Sequence, residues 1–527
     1  MNRRNFLEML SMSAAAAALP GQTGGAPARP NIVLMMADDM GFSDIGCYGS
    51  EIATPNLDSL AKGGVRFTHF YNAARCCPTR ASLLTGLYPH QAGVGHMVNN
   101  LGIPPYQGYL NDHCVTIAEV LRTSGYRTLM SGKWHVGEQR PHWPVDRGFD
   151  HYFGLISGAS SYWELDEGRT MAVDDKPFTP PKDYYATDAF TDHAISMLDQ
   201  HGRSNQPFFL YLPFTSPHWP LHAHESDVKK YEGKYMIGWD ELRRRRHKRM
   251  IELGIVDKKW PITPRDATAP AWESVADKKA RDRAMAVYAA QIDRMDQNVG
   301  RLLAQLKKMG ADQNTLILFL ADNGGCAEVV DRGKPGVPPG PRDSYLSYGL
   351  PWANSSNTPF RLYKHWLHEG GISTPLIANW PSVIKQAGTL NHETGHLVDL
   401  MATCVDVGKA KYPTTFQGRQ ITPAEGRSLL PIFQGKTLGD RKLYWEHEGN
   451  RAMRDGKWKL VSQRPKDWEL YDLDADRTEL TDLSKKMPDK TAAMVKDYEA
   501  WAKRCGVLSP EDFTKRTKAG KKANPGE

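Results

Sequence analysis

The stretch best equipped for chemistry is Cys76-Cys77-Pro78-Thr79-Arg80-Ala81-Ser82-Leu83-Leu84-Thr85-Gly86. Pro78 ahead of good helix formers, with Gly86 just past them, predicts a loop feeding a short helix with proline in its first turn and glycine at its end. Cys76 then lies near a helix N-terminus, where free backbone N–H groups and the positive end of the macrodipole favour an anion. Arg80, one turn on, adds a fixed positive charge. The stretch suits a sulfate- or phosphate-like group.

A second chemistry sits at the ends of two apolar runs. Asn31-Ile32-Val33-Leu34-Met35-Met36-Ala37 ends in Asp38-Asp39, and Thr315-Leu316-Ile317-Leu318-Phe319-Leu320-Ala321 ends in Asp322-Asn323-Gly324-Gly325. Unbroken runs of this kind mark strands buried on both faces of a sheet. A helical pattern from about Ala280 to Met309 precedes the second. Helix followed by buried strand is the grammar of an α/β sheet, whose ligands gather beyond the carboxyl ends of the strands. Three carboxylates and an amide on one edge need a cation, and such an all-oxygen set suits calcium or magnesium. A thiol is a poor ligand for so hard an ion.

Cationic and titratable groups follow two further strand-like runs. Tyr126–Met130 leads into Ser131-Gly132-Lys133-Trp134-His135, and Phe208–Phe214 leads into Ser216-Pro217-His218. Lys364 follows in Phe360-Arg361-Leu362-Tyr363-Lys364, ahead of Glu369-Gly370-Gly371, Pro375 and Trp380-Pro381.

At Cys76–Gly86 the chain resembles the sulfatase family. That signature is Cys or Ser, any residue, Pro, any residue, Arg, three more, then Leu-Thr-Gly, and every fixed position is met. The resemblance runs from about Pro30 to about Ser509 and is nearest to bacterial arylsulfatase-type members. It implies an alkaline-phosphatase-like α/β domain with a large mixed central sheet flanked by helices, followed by a smaller C-terminal α+β domain of antiparallel sheet plus helix. It implies that a maturation enzyme converts Cys76 to formylglycine, whose hydrate attacks a sulfate ester. One calcium ion is implied at Asp38, Asp39, Asp322 and Asn323 together with the modified Cys76. Lys133 and His135 are assigned to orienting and activating the hydrate, His218 to the sulfate near the leaving-group oxygen, and Lys364 to sulfate binding.

Charge shapes the expected mechanism. A sulfate monoester resists attack until its oxygens are neutralised, which calcium, Lys133, Lys364 and His218 could do by preorganised electrostatics. A hydrate hydroxyl would then attack sulfur, His218 or Lys364 would protonate the leaving alcohol or phenol, and His135 would take the second hydroxyl's proton. The expected substrate is a sulfate monoester, aryl or carbohydrate. Two alternatives stand beside it: a phosphoester or phosphonate hydrolase of the same superfamily, and a non-catalytic calcium-dependent glycan-binding protein.

At 527 residues, with 40% hydrophobic and 24% charged residues, the chain can form two or three ordinary globular domains, and a net charge of +7 does not argue for a nucleic-acid partner. Met1-Asn2-Arg3-Arg4-Asn5-Phe6-Leu7, an apolar run to Ala18 and Leu19-Pro20-Gly21 look like a twin-arginine export signal, so residues 1–29 are expected to be signal peptide and linker of a periplasmic or secreted protein. No later run reaches 18 apolar residues, so no stable membrane insertion is expected. Most of the seven cysteines are expected to be buried thiols. The basic run Glu241–Arg249 is expected on an exposed amphipathic helix, and the loop Cys326–Asn357 near substrate. Residues 30–411 form the expected catalytic domain and 412–515 the small domain, with His447 placed at the pocket. The Lys-, Gly- and Pro-rich tail 516–527 is expected to be disordered.

Overall fold

The structure is a computed structural model that describes residues 29–201 and 206–523; the export-signal reading falls outside them. Its centre is the strand Asn31–Ala37, hydrogen-bonded in parallel to Thr315–Ala321 on one side and Phe208–Pro213 on the other. Arg127–Ser131 continues the parallel set beyond Phe208–Pro213. Side chains alternate between the two faces: Val33, Met35 and Ala37 join one hydrophobic core while Ile32, Leu34 and Met36 join the other. Burial on both faces is why the run carries no polar residue after Asn31, its partly buried first position.

Four parallel strands in register deliver their carboxyl ends to one edge. Among the described residues the sheet has 11 strands and is mixed, because Ser373–Asn379 runs antiparallel to both Thr315–Ala321 and Val65–Tyr71. An antiparallel strand begins where its neighbours end, so the segment before Ser373, including Lys364, is carried to the same edge. Val65–Tyr71, which the sequence reading did not identify, ends there as well and feeds the helix Cys76–Thr85. Helices pack on both faces, the longest being Lys278–Lys308. The α/β architecture expected from the sequence is therefore present.

The small domain also has the expected form. Lys442–His447, Asn450–Asp455, Trp458–Ser462 and Glu469–Asp472 make a four-stranded antiparallel meander, against which the helix Pro488–Cys505 packs. Two local expectations change. The helix Pro510–Ala523 runs through the boundary placed at residue 515, so residues 516–523 are helical rather than a disordered tail, anchored by Phe513 against Leu101 and Tyr106. The helix Gly238–Glu252 is not a uniformly exposed basic face: Arg246 is buried and paired with Asp44 at 2.5 Å and Glu51 at 2.9 Å, and Arg243 is buried against the Thr263 carbonyl at 2.7 Å. Arg244 and Arg245 do face solvent, where both pair with Glu241.

All seven cysteines are buried and unbridged. Among the described residues, no helix is long and apolar enough to cross a membrane.

Candidate active site

The expected carboxylates meet at the sheet edge. Asp39 adopts a left-handed backbone (φ 64°) directly after its strand, and its N–H donates to Asp322 Oδ1 at 3.1 Å. Asn323 Nδ2 donates to Asp39 Oδ1 at 2.7 Å, and Thr79 Oγ1 donates to the Asp322 carbonyl at 2.6 Å. Asp38, Asp39, Asp322 and Asn323 are all essentially inaccessible. Among the described residues, Asp38 Oδ1 and Asn323 Oδ1 have no hydrogen-bond partner.

Crowding divides the carboxylates. Burial and the charge of Asp38 push Asp322 well above the usual carboxylate range, against the pull of Arg80. Burial acts the same way on Asp38, but Lys133, His218 and Arg80 overcome it and hold that carboxyl well below the range. Three buried acids that cannot comfortably all ionise, with two orphaned oxygens among them, fit a hard divalent cation with oxygen ligands.

Cys76 is the first residue of the helix Cys76–Thr85, whose end is closed by Gly86 in the left-handed region (φ 71°). This is the predicted cap and stop, with Pro78 inside the first turn. A hydrogen bond from Cys77, together with Lys133 and His135, pulls the Cys76 thiol well below its ordinary value despite burial. Arg80 reaches back along the helix to Asp322 Oδ2 at 3.0 Å and to the Lys133 carbonyl at 2.8 Å. Lys133 Nζ donates to Asp38 Oδ2 at 2.6 Å. His135, also left-handed (φ 58°), lies 3.4 Å from Cys77 Sγ, and burial pushes its pKa down to about 4. A Cβ on Gly158 would stand 2.4 Å from this ring, so only glycine admits it.

The second cationic group faces Asp39. Lys364 Nζ donates to Asp39 Oδ2 at 2.8 Å and lies 3.4 Å from His218 Nε2. Burial favours the neutral amine, yet Asp39, Cys326 and Glu328 raise the Lys364 pKa well above its ordinary value. His218 is lowered by burial. Its Nδ1 lies 2.6 Å from the Trp219 carbonyl, a contact only an N–H can make favourably, which assigns the tautomer with the Nε2 lone pair facing Lys364.

All ten residues singled out from the sequence therefore lie in one cluster. Others were not anticipated. Cys77 occupies a position the signature leaves open, yet it contacts both Cys76 and His135. Thr79 also fills an open position and ties the Cys76 helix to the Asp322 strand. Glu328 bridges Arg75 at 2.8 Å, Trp219 Nε1 at 2.9 Å and Lys364 at 3.9 Å. Only the general expectation that the loop after Asn323 borders the site pointed to it. His447 is buried, beside His96, His365 and Glu448.

Comparison with known proteins follows the same outline. The family model described as Sulfatase matches residues 30–410, and one described as N-sulphoglucosamine sulphohydrolase, C-terminal, matches residues 360–500. An uncharacterized sulfatase of Schizosaccharomyces pombe is 35% identical over 92% of this chain and 96% of its own length. The arylsulfatase of Klebsiella aerogenes is 33% identical over 83% of this chain and 98% of its own. Among solved structures, Ps i-CgsB matches with a TM-score of 0.69 at 26% identity, covering 90% of this chain and 93% of that one. It has also been crystallised in complex with k-i-k-neocarrahexaose.

Proposed function

This chain belongs to the sulfatase family and is a sulfuric ester hydrolase, and from that premise we propose that it acts through formylglycine at position 76 with a calcium ion at Asp38, Asp39, Asp322 and Asn323. The observation that carries the reading is the placement of Cys76 at a buried helix N-terminus beside Lys133 and His135, within one cluster with the two orphaned oxygens Asp38 Oδ1 and Asn323 Oδ1. Calcium there would supply charge neutralisation for the sulfate oxygens, and an aldehyde hydrate in place of the thiol would supply an oxygen nucleophile compatible with so hard an ion.

The chain's own groups divide the remaining work. Lys133 and Lys364, each held by one aspartate, bind and orient the sulfate oxygens as fixed donors. Arg80 spans Asp322 and the Lys133 carbonyl and holds both in place. Neutral His135 stands ready to take a proton from the hydroxyl at position 76. Lys364 donates toward His218 Nε2, so the pair can pass a proton to the departing oxygen while the Trp219 carbonyl keeps the ring from rotating.

We propose a sulfated carbohydrate as the natural substrate class. Support comes from the neighbour crystallised with k-i-k-neocarrahexaose and from the half-buried Trp219 ring, 4.6 Å from the His218 ring, which offers a sugar a flat apolar face. Export under the twin-arginine sequence at residues 1–29 belongs to the same proposal.

Trypsin cleaves after Arg75 and Arg80, so mass spectrometry of the Cys76–Arg80 peptide from active enzyme is expected to find one H₂S replaced by O; an intact thiol in fully active material would exclude formylglycine. Rates on nitrophenyl sulfate are expected to exceed those on nitrophenyl phosphate, and the reverse order would favour a phosphoester hydrolase. Lys364→Met is expected to lower kcat/KM by about 10²- to 10³-fold, the usual cost of a preorganised charge-stabilising donor. A loss of only a few-fold would remove Lys364 from this role.

A further inference from the structure

Away from the oxygen cluster, a second group of metal-ligating side chains meets where the small domain packs on the large one. His447 ends one strand of the small sheet and Asn450 begins the next, joined by Glu448 and Gly449, both at positive φ (53° and 86°). That is a type I′ hairpin turn, whose usual pair is Asn-Gly; glutamate is an uncommon choice there. Its carboxylate meets two histidines of the large domain as well as its neighbour. Glu448 Oε1 lies 3.3 Å from His96 Nδ1 and 3.7 Å from His447 Nε2, and Oε2 lies 3.2 Å from His365 Nδ1.

The hydrogen bonding here is incomplete. His447 is fully buried and, among the described residues, neither of its ring nitrogens has a hydrogen-bond partner; His96 Nδ1, though close to the carboxylate, lacks one too. Buried polar nitrogens are rarely left so, because each forfeits its solvation without recompense. Lone pairs gathered around one carboxylate oxygen are what ligands of a shared cation look like.

We propose that His96, His447 and Glu448 form a second metal site, for zinc or a similar borderline divalent ion, separate from the hard-cation site at Asp38–Asn323. Two imidazoles and a carboxylate are a zinc donor set that leaves a fourth position open, and imidazole is no ligand for calcium. A tetrahedral ion with bonds of about 2.0–2.1 Å sets neighbouring ligand atoms roughly 3.3–3.4 Å apart. The His96–Glu448 spacing of 3.3 Å meets that, the His447–Glu448 spacing of 3.7 Å is slightly wider, and all three ligand atoms lie within 4.8 Å of one another. His365 orients the carboxylate: its Nδ1–H points at Glu448 Oε2 while its Nε2 accepts from Asn450 Nδ2 at 3.4 Å. Since His96 comes from the large domain and the other two from the small one, the ion pins the domains together. Its charge falls within electrostatic reach of Arg75 and Cys76.

The test uses the full protein, stripped with chelator, reloaded with calcium and titrated with zinc chloride against a chromogenic zinc chelator. One zinc per chain is expected, with cobalt(II) giving the strong visible absorption of a four-coordinate ion. His365→Ala should weaken zinc binding about 10- to 100-fold, the common cost of losing a residue that orients a ligand. Glu448→Gln should weaken it further while circular dichroism stays unchanged. Glu448 is partly exposed in a turn, so this variant tests the site even where His447→Ala fails to fold. Zinc should also raise the Tm of the wild type but not of Glu448→Gln. Absence of zinc binding, or equal binding by Glu448→Gln, would overturn the proposal. A sulfur-to-cobalt charge-transfer band would do so as well, because it would move the ion to Cys76, Cys77 and His135.

Discussion

Cys76→Ala loses sulfate-ester turnover by a factor on the order of 10⁴ or more, the scale seen when an enzyme is deprived of its nucleophile, while its far-ultraviolet spectrum and melting temperature stay near those of the parent. The two halves of this expectation have separate causes. The activity goes because nothing at position 76 can then be turned into an oxygen nucleophile, and Lys133 and His135 are left beside a methyl group. The fold survives because truncating one small buried side chain leaves only a small cavity, costing about 1 kcal/mol, and the helix Cys76–Thr85 keeps its proline, its Gly86 cap and the Thr79 tie to the Asp322 strand. Cys76→Ser gives the same result in a host whose maturation enzyme requires a thiol. Steady-state assays on nitrophenyl sulfate, beside a thermal melt, decide it. Wild-type rates from either folded variant would end the proposed mechanism.

Lys459→Met is expected to destabilise the protein by about 3–5 kcal/mol through a site remote from that chemistry. Lys459 lies on the strand Trp458–Ser462 of the small sheet and is fully buried between Glu369 Oε1 at 2.8 Å and Glu479 Oε1 at 2.7 Å. Glu369 itself belongs to the segment just before the strand Ser373–Asn379 of the large sheet, where Tyr71 Oη (3.0 Å), Ser373 Oγ (2.7 Å) and Arg477 Nε (3.2 Å) also donate to it. Removing the lysine leaves two buried carboxylates short of a cation, which costs far more than the intact network contributes. Adding Glu479→Gln to Lys459→Met should recover part of the loss, because one unpaired charge disappears. Urea titration measures both, and a change below about 1 kcal/mol would show that the cluster is hydrated or loosely held.

The same network sets an acid limit. Burial alone would raise the Glu369 carboxyl, but Lys459, Arg477 and Arg454 outweigh it and hold its pKa at about 2, against an ordinary value of 4.5. A carboxyl depressed in the folded state contributes stability that is fully present above pH 4.5 and is lost as pH falls from there toward 2, here roughly 3 kcal/mol. In Lys459→Met the depression shrinks, so stability between those pH values should vary less than in the wild type. An unchanged acid slope would separate Glu369 from the effect.

What the sequence determined by itself is local. Pro78 and Gly86 bound the Cys76 helix because ring closure and a missing Cβ act on the backbone of a single residue. The apolar runs at Asn31 and Thr315 announce buried strands because every side chain in them must leave water, and the acids that follow stand where those strands have to stop. The family motif is legible for the same reason, since its residues occupy one helix and the glycine that closes it.

The tertiary structure decided what distance along the chain conceals. Asp39 and Asn323 meet across 284 residues, and Lys364 reaches Asp39 across 325. The second contact depends on Ser373–Asn379 running antiparallel to its neighbour, a direction that strand composition does not encode. Burial of Arg243 and Arg246 inside a helix that reads as basic surface depends on Thr263, Asp44 and Glu51 arriving from elsewhere. The meeting of His96, His365, His447 and Glu448 likewise depends on how two domains dock. Periodicity and capping are satisfied within a few residues, whereas pairing between remote charges exists only after the sheet has chosen its register.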